Sequence, residues 1–135
     1  LNWHREYIKV HLTSIHDGLT GLLNHKAFLN RFEEEISRAE RFNQMFGLVI
    51  LDLDKFKSVN DSYGHLYGDY VLEDVAKIIS ESVRTIDVVG RYGGEEFAVL
   101  LINSDIEDCI PVAERIVKSI EAKTFLKSSI ATNIT

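Results

Sequence analysis

One cysteine and one proline occur in 135 residues. A single thiol, Cys109, excludes a disulfide within the chain, so the sequence does not read as a small secreted scaffold held by cross-links. No Gly/Ser/Pro-rich linker, internal repeat or low-complexity tract is present. No apolar run approaches the roughly 18 residues that a membrane span needs, and the N-terminal LNWHREYIKV lacks a signal-peptide pattern. Positive charge is also short. Lys and Arg number 15 against 21 Asp and Glu, a net charge of −6, and residues 47–104 hold 5 basic and 10 acidic groups. A surface of that sign repels a nucleic acid backbone and argues against a DNA or RNA binder. Any phosphate ligand bound there needs a cation.

What is present is an ordinary globular composition, 45% hydrophobic and 27% charged. At about 150 residues per domain the length accommodates one domain, and a chain of this size buries roughly two-thirds of its unfolded surface. The expectation is a soluble, cytoplasmic domain without direct membrane contact, alone or as the cytoplasmic output of a larger membrane-bound protein. Leu1, Ile8 and Ile15 stand seven apart, which predicts a short linker helix over residues 1–15. HDGLTGLLN (16–24) then breaks it as a hinge.

Phe28, Phe32, Ile36 and Ala39 recur at helical spacing and predict an amphipathic helix over 25–43, with Asn24 as its N-cap. FGLVILDLD (46–54) is a continuous apolar run, read as a strand buried on both faces. A polar loop over 55–66 and a second helix over 67–84 follow. VVGRY and EEFAVLLI, separated by Gly93-Gly94, predict a hairpin with a two-residue type I′ turn. A third helix lies within 105–122. Ser104 and Glu107 suit a capping box, whereas Pro111 suits a later start, and the pattern does not choose between them. The final SSIATNIT alternates like the beginning of a strand. The order implies an α+β sandwich with helices on one face of the sheet.

Alternation places Asp52 and Asp54 on the same side at the end of the first strand. Such a pair either solvates the strand end or holds a hard cation such as Mg²⁺. Glu95 and Glu96 follow the glycines and point to opposite faces. With a two-residue turn Glu96 stands opposite Arg91, where an ion pair would suffice to explain it. Gly93 and Gly94 serve turn geometry or allow a ligand to approach the backbone. His4, His11, His16 and His25 form no ligand spacing with Cys109 that suggests zinc.

Arg91-Tyr92-Gly93-Gly94-Glu95-Glu96-Phe97 resembles the signature of the GGDEF domain family, the diguanylate cyclases, in its GGEEF form. Asp17-Gly18-Leu19-Thr20-Gly21-Leu22-Leu23-Asn24 resembles the family's opening DxLTxLxN motif. Asp52 through Asp61, with Gly64-His65 and Gly68-Asp69, resembles its D(L/I)DxFKxxND…GH…GD stretch. His25 departs from the Arg that usually follows the Asn. The resemblance implies a ferredoxin-like fold of the nucleotidyl-cyclase palm type over residues 16–135. It further implies that the family's last strand and helix are missing beyond Thr135. In such enzymes two GTP condense to cyclic di-GMP and two pyrophosphates.

Carried onto this sequence, the resemblance implies that Asp52, Glu95 and the carbonyl of Leu53 hold two Mg²⁺ or Mn²⁺ ions. Glu96 matches a position that binds metal or deprotonates the attacking hydroxyl. Asn60 and Asp69 would read guanine, with Phe56, Lys57, Gly93 and Gly94 also lining the substrate site. Asn60 and Asp69 are otherwise a turn residue and a helix-start anion. Arg84 and Asp87 resemble the RxxD site at which cyclic di-GMP inhibits; the plain alternative is a polar corner between helix and strand. A homodimer is implied, because each subunit binds one GTP, together with an upstream sensor domain. A non-catalytic receptor for cyclic di-GMP or GTP, and an interaction module with a vestigial pocket, are the competing readings.

Overall fold

A computed structural model describes residues 15–127 and 130–133, with side chains through Lys123. The helix expected over 1–15 therefore lies outside the described residues apart from its last position. The elements are α1 (His25–Phe42), β1 (Phe46–Asp52), α2 (Phe56–Tyr63), α3 (His65–Ser82), β2 (Val88–Arg91), β3 (Glu96–Ile102), α4 (Ile106–Ala122), β4 (Thr124–Lys127) and β5 (Ile130–Asn133). Strands β1, β3 and β2 form one antiparallel sheet in that order, and β4 pairs with β5 in a separate two-stranded ribbon.

Helix α1 begins where the Asn24 side chain accepts from the Ala27 N–H at 2.9 Å and ends at Asn43, whose φ of 50° turns the chain out of the helix. The residues expected as a polar loop fold instead into α2. Phe56 and Val59, three apart on one face, are buried, which a scan for long apolar periods overlooks in an eight-residue helix. The third helix starts at neither expected position. Asp105 caps it, its carboxylate accepting from the Asp108 N–H at 2.9 Å while Asp108 accepts from the Asp105 N–H at 3.1 Å. Pro111 then sits in the second turn, where the carbonyl of Glu107 loses its usual donor.

The strand buried on both faces is β3, not β1. Phe97, Val99 and Leu101 face a core built with Val71, Val75 and Ile79 of α3 and with Ile116 of α4. Ala98, Leu100 and Ile102 face Phe28 of α1 and Val88. Helices therefore cover both faces of the sheet, which corrects the expectation of helices on one. In β1, Leu48 and Ile50 are 44% and 50% exposed, because α1 packs over β2 and β3 and reaches β1 only at Phe46. An apolar run does not tell which strand is central.

Close approach of α1 requires glycine at one place. A Cβ on Gly90 would lie 2.6 Å from Phe28 Cδ1 and 2.9 Å from its Cγ. The segment before α1 is annealed to the same strand: Arg91 N–H donates to Leu23 O at 2.9 Å, and Leu23 bridges to both Gly90 and His16. Asp17 is locked within this turn by the Thr20 N–H at 2.8 Å and the Thr20 hydroxyl at 2.7 Å. Its two carboxylate oxygens also accept from Arg91 Nη1 at 3.2 and 3.3 Å. Burial pushes the Asp17 carboxyl upward, but the Thr20 donors and the Arg91 charge outweigh it and hold the group below its ordinary range.

Gly90→Ala should lower stability by about 1–3 kcal/mol through overpacking against Phe28, read as a drop in Tm. Asp17, with its folded-state pKa depressed, contributes stability that is present above its unfolded value and is lost as pH falls through the folded one. Asp17→Asn should accordingly be less stable than the parent at pH 7, and urea midpoints of the two should converge below about pH 4.

Candidate functional site

The ladder between β1 and β3 brings the expected carboxylates to one end of the sheet. Asp52 is the last residue of β1 and pairs directly with Glu96, the first residue of β3. One residue on, the Leu53 N–H donates to Glu95 O at 3.2 Å. Leu53 is itself buried, 5% exposed, and anchors the chain as it leaves the strand, while Asp52 and Asp54 on either side are exposed. Lys55, at φ 60°, then turns the chain into α2.

The turn carrying Glu95 differs from expectation by one residue. Arg91 pairs with Phe97, and the N–H groups of Tyr92 and Gly93 both donate to Glu96 O, at 2.8 and 3.2 Å. The connection is thus the three residues Gly93-Gly94-Glu95, and neither glycine has positive φ, so the type I′ turn does not form. Glu96 faces Tyr92 rather than Arg91. The expected Arg91–Glu96 pair is replaced by the Arg91–Asp17 pair, and Arg91 Nη2 donates to Gly94 O at 2.8 Å. The Glu96 carboxylate folds back over Gly93, where a Cβ would collide with Oε1. His25 closes the other side of the hairpin: its ring centroid lies 4.5 Å from that of Tyr92, and its Nδ1 lies 2.7 Å from Tyr92 O.

Among the described residues, Asp52, Glu95 and Glu96 form no salt bridge, and no three acidic, His or Cys side chains already converge as a metal cage. Like charges directly opposite on a ladder are destabilising. The donor set is all hard oxygen, three carboxylates and the Leu53 carbonyl, which fits a divalent cation of the Mg²⁺ type.

Next to this end of the sheet, α2 and α3 form a second feature. Gly68 is buried, and a Cβ there would collide with Asn60 Oδ1 and lie 3.2 Å from Phe56 Cζ. Asn60 Oδ1 is buried with no hydrogen-bond partner among the described residues. A buried acceptor left open costs about 1–3 kcal/mol, which makes it a position a ligand donor can satisfy. Asp69 follows Gly68 on the exposed side of α3, and Lys57 is exposed on the first turn of α2. Phe56 is core: 6% exposed, its ring forms the floor under Gly68.

Arg84 and Asp87 stand at the other end of β3, roughly 20 Å away along seven residues of strand. They bind one another, Arg84 Nη2 donating to Asp87 Oδ1 at 3.1 Å and Nε to Oδ2 at 3.2 Å. Asp87 also accepts from the Ile102 N–H at 3.1 Å, and Arg84 Nη2 donates to Ile102 O at 2.6 Å. The Asp87 side chain is 1% exposed and the Arg84 side chain 54%. A cavity of about 390 Å³ opens beside them, lined also by Ser104, Asp108 and Arg115. The sequence reading missed Arg115. It lies on the polar face of α4, where nothing in the sequence separates it from the helix's other surface charges.

These features can be set beside known proteins. The family described as "Diguanylate cyclase, GGDEF domain" matches residues 14–135. Diguanylate cyclase A of Treponema denticola is 40% identical over 128 residues, 95% of this chain and 33% of that protein. Diguanylate cyclase DosC of Escherichia coli is 40% identical over 113 residues, 84% of this chain and 24% of that protein. The chain thus spans about a third or less of these relatives. Among solved structures, the diguanylate cyclase SiaD of Pseudomonas aeruginosa, in complex with its activator SiaC, superposes with a TM-score of 0.88 at 38% identity over 98% of this chain and 51% of that one. The coiled coil and GGDEF domain of DgcB from Caulobacter crescentus, in complex with c-di-GMP, reaches 0.92 at 28% identity over 99% of this chain and 72% of that one. On this family match and the antiparallel α+β fold that carries its motifs, the chain belongs to the GGDEF domain family.

Proposed function

We propose that this domain is the catalytic part of a diguanylate cyclase: two GTP condense to one cyclic di-GMP and two pyrophosphates. Each 3′-oxygen bonds to the α-phosphorus of the other GTP, the bond from that phosphorus to the bridging oxygen of pyrophosphate breaks, and the hydroxyl proton is released to base. The observation that carries this reading is the juxtaposition of Asp52 with Glu96, and of Leu53 with Glu95, at the end of the β1–β3 ladder. Asp52, Glu95, Glu96 and the Leu53 carbonyl would hold two Mg²⁺ or Mn²⁺ ions. When bound, such ions neutralise the triphosphate and stabilise the attacking and leaving oxygens.

Gly94, with open space where a Cβ would stand, leaves the turn accessible to the phosphates, and Gly93 beside it makes room for the Glu96 carboxylate. Asn60 Oδ1, buried and unpartnered, accepts from the guanine, and Asp69 accepts from its amino and imino groups. Lys57 lends a positive charge at the first turn of α2. Glu96 is placed either to share in metal binding or to take the hydroxyl proton. One chain offers one such site, so the reaction requires two chains facing each other. An upstream sensor segment and a cytoplasmic location fit this reading, with GTP as substrate. The SiaD and DgcB structures contain an activator protein and c-di-GMP respectively, which supports the same product class and control through partners.

Arg84 and Asp87, with Arg115 across the cavity, form the inhibitory site for cyclic di-GMP. Arg84 is half exposed and can turn its guanidinium to a phosphate, whereas Asp87 is buried and caps Ile102. Arg84→Ala is therefore the informative variant. Asp87→Ala would also cost stability by leaving the Ile102 N–H without its acceptor.

Incubation of the full-length polypeptide with GTP and Mg²⁺, resolved by chromatography and mass, should yield cyclic di-GMP with two pyrophosphates per product. Intact GTP in a folded, dimeric preparation freed of bound nucleotide would overturn the reading. Glu95→Ala should lower turnover at least a hundredfold while leaving Tm within a few degrees. Arg84→Ala should raise the concentration of cyclic di-GMP needed for half-inhibition at least tenfold with initial rates retained; an unchanged inhibition curve would remove the assignment.

A further inference from the structure

The two peptides that flank Glu95 are each held by a hydrogen bond. The Leu53 N–H fixes Glu95 O at 3.2 Å, and Arg91 Nη2 fixes Gly94 O at 2.8 Å. Arg91 is not free to wander: its Nη1 is seated on both oxygens of Asp17, which is itself held by two hydrogen bonds from Thr20. The backbone of Arg91 is tied to Leu23 O at 2.9 Å. Arg91 and Asp17 side chains are each 20% exposed, so solvent screens the pair only in part.

We infer that Arg91 is a positioning residue for the turn that carries Glu95, and that Asp17 is its seat. The guanidinium is planar and forked, so one arm on Asp17 sets where the other arm meets Gly94 O. Because the peptide is planar and trans, fixing Gly94 C=O toward Arg91 turns the Glu95 N–H to the opposite side of the turn, away from the Asp17 segment. Three consecutive residues, two of them glycine, would otherwise sample many conformations, and a carboxylate mounted on them would be poorly aimed. The relay Thr20–Asp17–Arg91–Gly94 thus joins residues 15–24, through which the chain enters the domain, to the backbone of the site. A displacement of that segment is transmitted to the turn without any contact with substrate.

The catalytic side of this inference rests on the proposed cyclase reading; the clamp itself does not. The test uses the full-length polypeptide with Arg91→Ala, Arg91→Lys, Asp17→Ala and the Arg91→Ala/Asp17→Ala double variant. Hydrogen exchange by mass spectrometry on the peptide spanning 91–97 decides the clamp. Exchange should accelerate at least tenfold in Arg91→Ala and in Asp17→Ala, with the β1 and α3 peptides unchanged. Turnover of GTP with Mg²⁺ should fall at least tenfold in each single variant with KM within about twofold, and the double variant should be no worse than either single one.

Arg91→Lys separates positioning from mere structure. Lysine can pair with Asp17 and restore Tm, but a single ammonium cannot hold Asp17 and Gly94 O in the same fork, so exchange and turnover should stay impaired. Recovery of exchange and turnover together with Tm in Arg91→Lys would overturn the inference, as would unchanged exchange at 91–97 in Arg91→Ala. Accelerated exchange in a protein whose parent form leaves GTP intact would uphold the clamp and overturn the cyclase reading alone.

Discussion

Seven consecutive residue pairs, from Phe46↔Ile102 to Asp52↔Glu96, tie β1 to β3. The Asp52–Glu96 pair and the Arg84–Asp87 corner both take their positions from that register. Shifting it by one residue would turn Phe97, Val99 and Leu101 out of the core shared with α3 and α4, and would turn Ala98, Leu100 and Ile102 away from α1. Because β3 is buried on both faces, neither set can be exposed without losing several buried side chains, each contributing about 1.5–3 kcal/mol. The same register that fills two cores sets Asp52 beside Glu96 at one end and Ile102 beside Arg84 and Asp87 at the other.

The two ends differ in how their charges are treated. At the Arg84 end each charge has a partner: Asp87 is neutralised by Arg84 and also accepts from a backbone N–H. Asp87 is thereby satisfied, whereas Arg84 stays half exposed toward the cavity. At the Asp52 end Asp52, Glu95 and Glu96 have no salt-bridge partner among the described residues, and a nearby acceptor, Asn60 Oδ1, is buried without a hydrogen bond there. Native structures satisfy buried polar groups and separate like charges unless a ligand supplies what is missing. A paired corner and an unpaired one thus stand at opposite ends of the same strand.

Much of this was legible in the chain. The helix expected over 25–43 with its Asn24 cap, the strand starting at Phe46, the hairpin and the long third helix follow from apolar period, capping chemistry and paired glycines, all local signals, although the strand stops at Asp52 and not at Asp54. The errors also have local causes. Eight residues with two apolar positions read as loop although packing against α3 makes them α2. A Gly-Gly pair read as a two-residue turn although the ladder closes around three residues. The Ser104/Glu107 box yielded to Asp105/Asp108, one position later, which buries Cys109, Ile116 and Ile120. Arg91 lay opposite Glu96 on paper but is claimed by Asp17, 74 positions away.

The motifs by themselves determined which residues are candidates for the chemistry, because hard-oxygen and guanidinium donors are read directly from residue type and order. They also determined the helices whose caps and apolar stripes lie within a few residues of one another. Only the tertiary structure decided which strand is central, since β1 and β3 are both largely apolar and burial depends on what packs over them. Only it decided that Arg91 joins Asp17 to Gly94 and that Asn60 Oδ1 has no hydrogen-bond partner among the described residues. Such long-range pairings are chosen by competition among many possible partners for a few buried positions, and that competition is settled when the chain packs.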